Sequence, residues 1–184
     1  MKLIQKTILI LFILISCLPL KAQETSFYSE DNKHLKSGLS LIDQRLYAPA
    51  QLEFELLKKE LLGVVDNEEY NLNMYADFYY AYCAALLDQA DAELLFTRFI
   101  EAYHHSTLRN KAFFELGSYY FRKNKTIEAL EWYEKVDTKE LTNDELVEYK
   151  FNFAYVYFKR KKFDEAKPLF KAIKDAKHQY SDPA

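Results

Sequence analysis

The sequence predicts an all-α chain built as a solenoid of about four stacked helix pairs, and three observations carry that expectation. The first is an internal echo. Gly117 is followed by Ala129, Tyr133 and Val136, and 37 residues later Ala154 is followed by Ala166, Phe170 and Ile173 at the same offsets. A step back of 37 gives Tyr80, Ala92, Phe96 and Phe99, and a further step of 42 gives Gly38, Ala50, Phe54 and Leu57. The second is the spacing. A small residue, an alanine twelve positions on, and rings or aliphatics four and seven beyond it describe two helices that pack together. The third is composition. Fifteen Tyr and 14 Phe stand against 3 Gly and 4 Pro, which favours long helices with aromatic seams over a loop-rich sheet. One pair is too small to hide its apolar face, so stacking must bury it, and stacked arrays usually bind other molecules.

The repeats do not reach the N-terminus. Lys2 and Lys6 precede the apolar run 8–15, and Leu20-Lys21-Ala22 offers a small residue for cleavage before Gln23. Residues 1–22 therefore read as a signal peptide, 23–30 as a polar stretch and 31–180 as the repeat domain. Ser16, Pro19 and Lys21 interrupt the run well short of the twenty or so residues a membrane span needs. Leu14-Ile15-Ser16-Cys17 resembles the lipobox of bacterial lipoproteins, so the alternative to soluble export is lipidation at Cys17. Both routes end in the bacterial envelope, in the periplasm or at the outer membrane, and membrane association is expected only if Cys17 is lipidated. Cleavage removes three lysines and no acid, leaving 22 basic against 28 acidic residues, a net charge of -6. Such a chain is unsuited to nucleic acid. Cys83 is then the only cysteine, which excludes an intramolecular disulfide and suits a small buried hydrophobe.

The elements follow in order. The first helix spans about 31–45, and Pro49 sits where the second begins, a helix that stops near Gly63. Asp66 with Glu69 forms a capping pair for a third helix to Leu87, and a fourth spans 91–103. Ser106 caps a fifth that ends at about Arg122 and Lys123, and Thr126 caps the sixth. After a connector over 137–141, Thr142 and Glu145 have the spacing of a capping box for the seventh, which reaches Arg160. Asp164 caps the eighth, with Pro168 in about its first turn, where a missing N–H costs least. In each unit, small residues such as Gly117 or Ala154 and their counterparts Ala129 or Ala166 let the two axes approach, while Tyr133 and Phe170 reach into the seam with the following unit.

Phe113, Leu116, Gly117, Tyr120, Ala129, Tyr133 and Val136 resemble the repeat of the tetratricopeptide family, as do Phe153, Ala154, Tyr157, Ala166, Phe170 and Ile173. Tyr80 departs from the pattern where a small residue belongs, and the periods of 37 and 42 exceed the family's usual 34. The resemblance covers about residues 30–180 and implies a right-handed α-solenoid. The stretch 94–117 is similar to envelope members of the family, those associated with the Tol–Pal system and those that help assemble outer-membrane barrels. It implies a scaffold that binds a protein or peptide partner. The closing residues 178–184 read like the linker of a further unit, as in the N-terminal part of a longer array.

No chemistry-bearing constellation is present. His104 and His105 are adjacent, so on a helix they would point about 100° apart. His-x-x-x-His, Cys-x-x-Cys, phosphate-loop and nucleophile-elbow motifs are missing, so no enzyme, metal or cofactor is expected. The family resemblance implies that inner helices line a concave groove, here through Phe114, Ser118, Phe121 and Arg122, then Phe151, Tyr155, Phe158 and Lys159. Such rings suit an extended apolar peptide, and equally suit simple packing between helices. The family's carboxylate clamp is not matched, because Phe114 and Ser118 occupy those sites. Arg122, Lys123 and Lys125, then Lys159, Arg160, Lys161 and Lys162, complement helix C-termini, or form an edge for anionic lipid or an acidic partner. A different class of function is a surface lipoprotein whose Trp132 or Tyr119 stacks on sugar rings, and a third is an accessory domain of a longer envelope protein.

Overall fold

A computed structural model describes residues 32–62 and 67–174, and its regular elements are all α-helices. They are α1 (Lys33–Asp43), α2 (Tyr47–Glu60), α3 (Asn67–Leu86), α4 (Ala92–Ala102), α5 (Leu108–Arg122), α6 (Thr126–Tyr133), α7 (Asn143–Lys159) and α8 (Phe163–Lys174). The signal segment, Cys17, the polar stretch, the Gly63 stop, the Asp66–Glu69 pair and the closing linker lie outside the described residues and side chains.

Helix starts depend on local donors and acceptors. At α7 the Glu145 N–H donates to Thr142 Oγ1 at 3.3 Å while the Thr142 N–H donates to Glu145 Oε2 at 2.9 Å, the reciprocal box its sequence predicts. Ser106 does accept from the Leu108 N–H at 3.0 Å, one residue ahead of the capping position held by Thr107. Two expected caps are displaced. Thr126 is the first residue of α6 behind Lys125, and Asp164 is the second of α8, where acids near the N-terminus complement the helix dipole instead. With α8 beginning at Phe163, Pro168 falls beyond the first turn, and the Asp164 carbonyl lacks its usual i+4 donor.

Four helix ends share one device. Arg45, Asp88, Asn124 and Lys161 have φ of 59°, 56°, 57° and 61°, and each sits in the turn closing an odd-numbered helix onto the next. The N–H after each bonds back across the turn: Leu46 to the Leu41 carbonyl (2.8 Å), and Gln89 to Ala84, Lys125 to Tyr120 and Lys162 to Tyr157 (each 2.9 Å). This is the Schellman end, in which a left-handed residue satisfies orphan carbonyls. None of the four is glycine.

These turns correct the register of one unit. The small residue lies seven positions before the left-handed one at Gly38, Gly117 and Ala154, and by the same count it is Ala81, fully buried, that fills this place in α3, not Tyr80. Tyr80 is half-buried under the Lys58 ammonium, 5.1 Å from its ring centre. The turn after α3 is correspondingly shorter by one residue before the buried alanine, Ala92.

Each helix packs on the next, and α1, α3, α5 and α7 also pack successively on one another, whereas among the described residues no even-numbered helix backbone packs against another. The alanines Ala50, Ala92, Ala129 and Ala166 are all buried. The small residues of α1 and α5 seat rings rather than other small residues. A Cβ at Gly38 would lie 2.6 Å from Phe54 Cζ, and one at Gly117 would overlap the Tyr133 ring. Tyr133 is completely buried, and its ring meets Tyr149 and Phe153 of α7 at 5.6 and 5.9 Å, so one side chain joins its own pair to the next. Full burial of such a side chain stabilises by roughly 1.5–3 kcal/mol. Cys83 is also fully buried, and burial pushes its thiol up to about 12, in keeping with a packing role.

Candidate functional site

The eight groove positions fall at matching places on α5 and α7, yet they meet different surroundings. Phe114 and Ser118 are 2 % exposed. Phe114 packs beside Tyr133 at 6.3 Å, and Ser118 Oγ is 3.2 Å from the Tyr133 hydroxyl. Both belong to the core, so their assignment to a groove is corrected. The reason is their place in the stack. The α5 helix is flanked by α3, α4, α6 and α7, while α7 has α5, α6 and α8 against it and no later helix among the described residues. Their counterparts Phe151 and Tyr155 stay half-buried.

Five of the predicted residues do converge. Phe121, Arg122, Phe151, Tyr155 and Lys159, together with Asn124 and Thr126, line a cleft of about 360 Å³ between α7 and the end of α5. Its floor is a run of rings. Phe121 meets Tyr155 edge to face at 5.6 Å, Tyr155 stacks on Phe151 at 6.4 Å, and Phe151 meets Phe170 of α8 edge to face at 6.2 Å. Phe158 lies beside Tyr155 at 6.4 Å, is half exposed, and turns towards Phe163 rather than into the cleft lining. Asn124 and Thr126 were missed by sequence reasoning. The signal available for Asn124 was its fitness for a left-handed turn directly after a helix.

The cleft's charge is one-sided. Arg122 and Lys159 line it without a carboxylate. The Arg122 guanidinium donates to the Ala85 carbonyl at 3.2 Å, tying the end of α5 to α3, and the Lys159 ammonium stands 5.5 Å from the Tyr155 ring centre. Nearby, Glu148 of α7 and Glu115 of α5 are held above the ordinary carboxylate range chiefly by burial, with Arg122 opposing the shift in both. Cations on a ring-lined wall can hold an anionic or aromatic group.

His104 and His105 occupy the turn between α4 and α5 rather than a helix, with their rings 5.8 Å apart. Among the described residues no group of three or more His, Cys, Asp or Glu side chains is arranged to hold a metal ion. Tyr119 is buried and its hydroxyl donates to the Gln89 carbonyl at 3.1 Å. Trp132 is half-buried, with the Phe113 ring stacked on it at 6.1 Å and the Lys135 ammonium 3.7 Å from its ring centre. The buried Tyr119 ring offers no open face for stacking on a sugar, whereas Trp132 is only half-buried. Comparison of the chain with protein-family models, with curated proteins and with solved structures finds no match.

Proposed function

We propose that this protein is an exported, non-enzymatic scaffold of the bacterial cell envelope, a right-handed solenoid of four tetratricopeptide-like helix pairs that holds an extended segment of a partner protein. The observation that carries this reading is the ring-floored cleft between α5 and α7. Rings bury much area with few torsions to freeze, which is the economy a peptide groove needs. Support for the repeat reading comes from the recurring left-handed turns and from odd-numbered helices that pack in succession while the even-numbered ones do not. The glycan-binding alternative loses one of its two candidate platforms, because Tyr119 is buried.

Panning a random peptide library on the immobilised protein tests the reading. Phe121→Ala and Tyr155→Ala are each expected to weaken the selected peptides by about 1 kcal/mol or more, with a smaller effect on the melting temperature. If both variants lose stability while affinity for the peptides holds, the rings are core and the cleft is not the binding site. Beginning the mature chain at Gln23, as read by mass spectrometry, is the matching expectation for export.

A further inference from the structure

We propose that the edge formed by the α7–α8 and α5–α6 turns docks on an anionic lipid bilayer. At the α7–α8 turn Phe158 and Phe163 are 51 % and 56 % exposed, and their rings meet edge to face at 5.6 Å. Between them run Lys159, Arg160, Lys161 and Lys162, all exposed. Complementing a helix dipole accounts for cations at the end of α7, but it calls for no exposed ring. A bilayer interface calls for both, since aromatic side chains settle at headgroup level while cations meet lipid phosphates.

The neighbouring turn extends the patch. Arg122 lines the same cleft as Lys159, and Lys125 follows within the turn, its ammonium 5.5 Å from the Tyr120 ring centre. Acidic groups are present but fewer at the tip. Asp164 and Glu165 open α8, Glu128 lies in the first turn of α6, and Asp88 is taken by Lys123 at 2.9 Å. Four consecutive exposed cations therefore outnumber two exposed acids at the α7–α8 turn. Among the described residues no helix is long and apolar enough to cross a membrane, and the proposed contact is a peripheral one made by side chains of the two turns.

Sedimentation of the full chain with vesicles tests this, comparing phosphatidylcholine alone with phosphatidylcholine mixed with phosphatidylglycerol. Binding is expected on the mixed vesicles only, falling steeply with added salt. Combining Arg160→Glu with Lys162→Glu should weaken it by about tenfold or more, and Phe158→Ala with Phe163→Ala should weaken it on the same vesicles. Residues 1–31 are common to every variant, so the difference from the parent reports on the turn. A second readout locates the contact: Phe163→Trp in a Trp132→Phe background should be quenched by brominated phosphatidylglycerol. Equal binding by parent and variants, or an unquenched tryptophan on bound protein, overturns the proposal. So does capture by polyglutamate that ignores the phenylalanines, which would make the partner an acidic polypeptide.

Discussion

Replacing Glu115 with glutamine is expected to stabilise the protein in alkali and to leave it little changed in acid. Glu115 lies on α5, 8 % exposed, with Lys111 and Arg122 on its own helix, Glu145 and Glu148 on α7, Tyr82 on α3 and Tyr133 on α6 as its charged or titratable neighbours. Burial is the main reason its carboxyl rises from 4.5 to about 7; Glu148 and Glu145 add to the shift, and Lys111 and Arg122 oppose it. Neither cation is committed to it. Lys111 pairs with Glu145 at 3.0 Å, and Arg122 donates to the Ala85 carbonyl.

Because the folded carboxyl titrates higher than the unfolded one, the folded state holds the proton more tightly, and stability falls as pH rises from 4.5 to about 7. Each pH unit in that interval is worth about 1.4 kcal/mol, so the ionised carboxylate costs the fold roughly 3 kcal/mol above the upper value. Glutamine removes the charge at nearly constant shape. Melting curves across this pH range should show Glu115→Gln matching the parent near pH 4.5 and exceeding it by roughly 6–12 °C above pH 7, at about 2–4 °C per kcal/mol for a chain of this size. Glu53, held low chiefly by its hydrogen bond to His34, titrates in the opposite sense in both proteins and cancels in the comparison. A difference between the two melts that stays constant with pH would show that the Glu115 carboxylate is solvated or paired, and the reasoning would fail.

Two further substitutions test the packing and the turns. Gly117→Ala places a methyl on the buried Tyr133 ring and should cost about 1–3 kcal/mol by overpacking, outweighing the roughly 1 kcal/mol that alanine gains over glycine inside a helix; a urea midpoint equal to the parent's would mean the ring yields freely. Lys161→Gly relieves a left-handed residue whose strain is about 1–2 kcal/mol against an entropic cost of about 0.5–1 kcal/mol, so the variant should unfold at slightly higher urea, and an earlier midpoint would contradict the strain.

The sequence made the helix pairs and most of their packing positions legible, because burial of one face imposes a period that survives in residue types. Ala50, Ala92, Ala129 and Ala166 stand as expected and are all buried. The turns were not legible. Arg45, Asp88, Asn124 and Lys161 share a conformation but no chemistry, and the usual glycine signal is missing. In α3 the tyrosines at 79, 80 and 82 masked Ala81, and a turn shorter by one residue shifted the echo. For the cleft, equivalence between repeats was visible while burial was not. Phe114 and Phe151 hold the same place in their units, and only the neighbours stacked on each decide which is core and which lines a surface.

The four left-handed turns bear on function because a glycine would relieve the backbone but leave the edge bare. In three of them the retained side chain has a use that glycine could not supply. Asp88 accepts the Lys123 ammonium at 2.9 Å and links two successive turns. Asn124 lines the cleft. Lys161 stands in the basic tip between Phe158 and Phe163. All four residues are exposed, so the backbone strain is confined to positions where side chains meet solvent or a partner rather than the core. One turn geometry, set by the need to close each helix onto the next, therefore presents a link, a cleft wall and a cationic tip at three successive steps of the stack. The chemistry of that edge changes from unit to unit while the packing beneath it repeats.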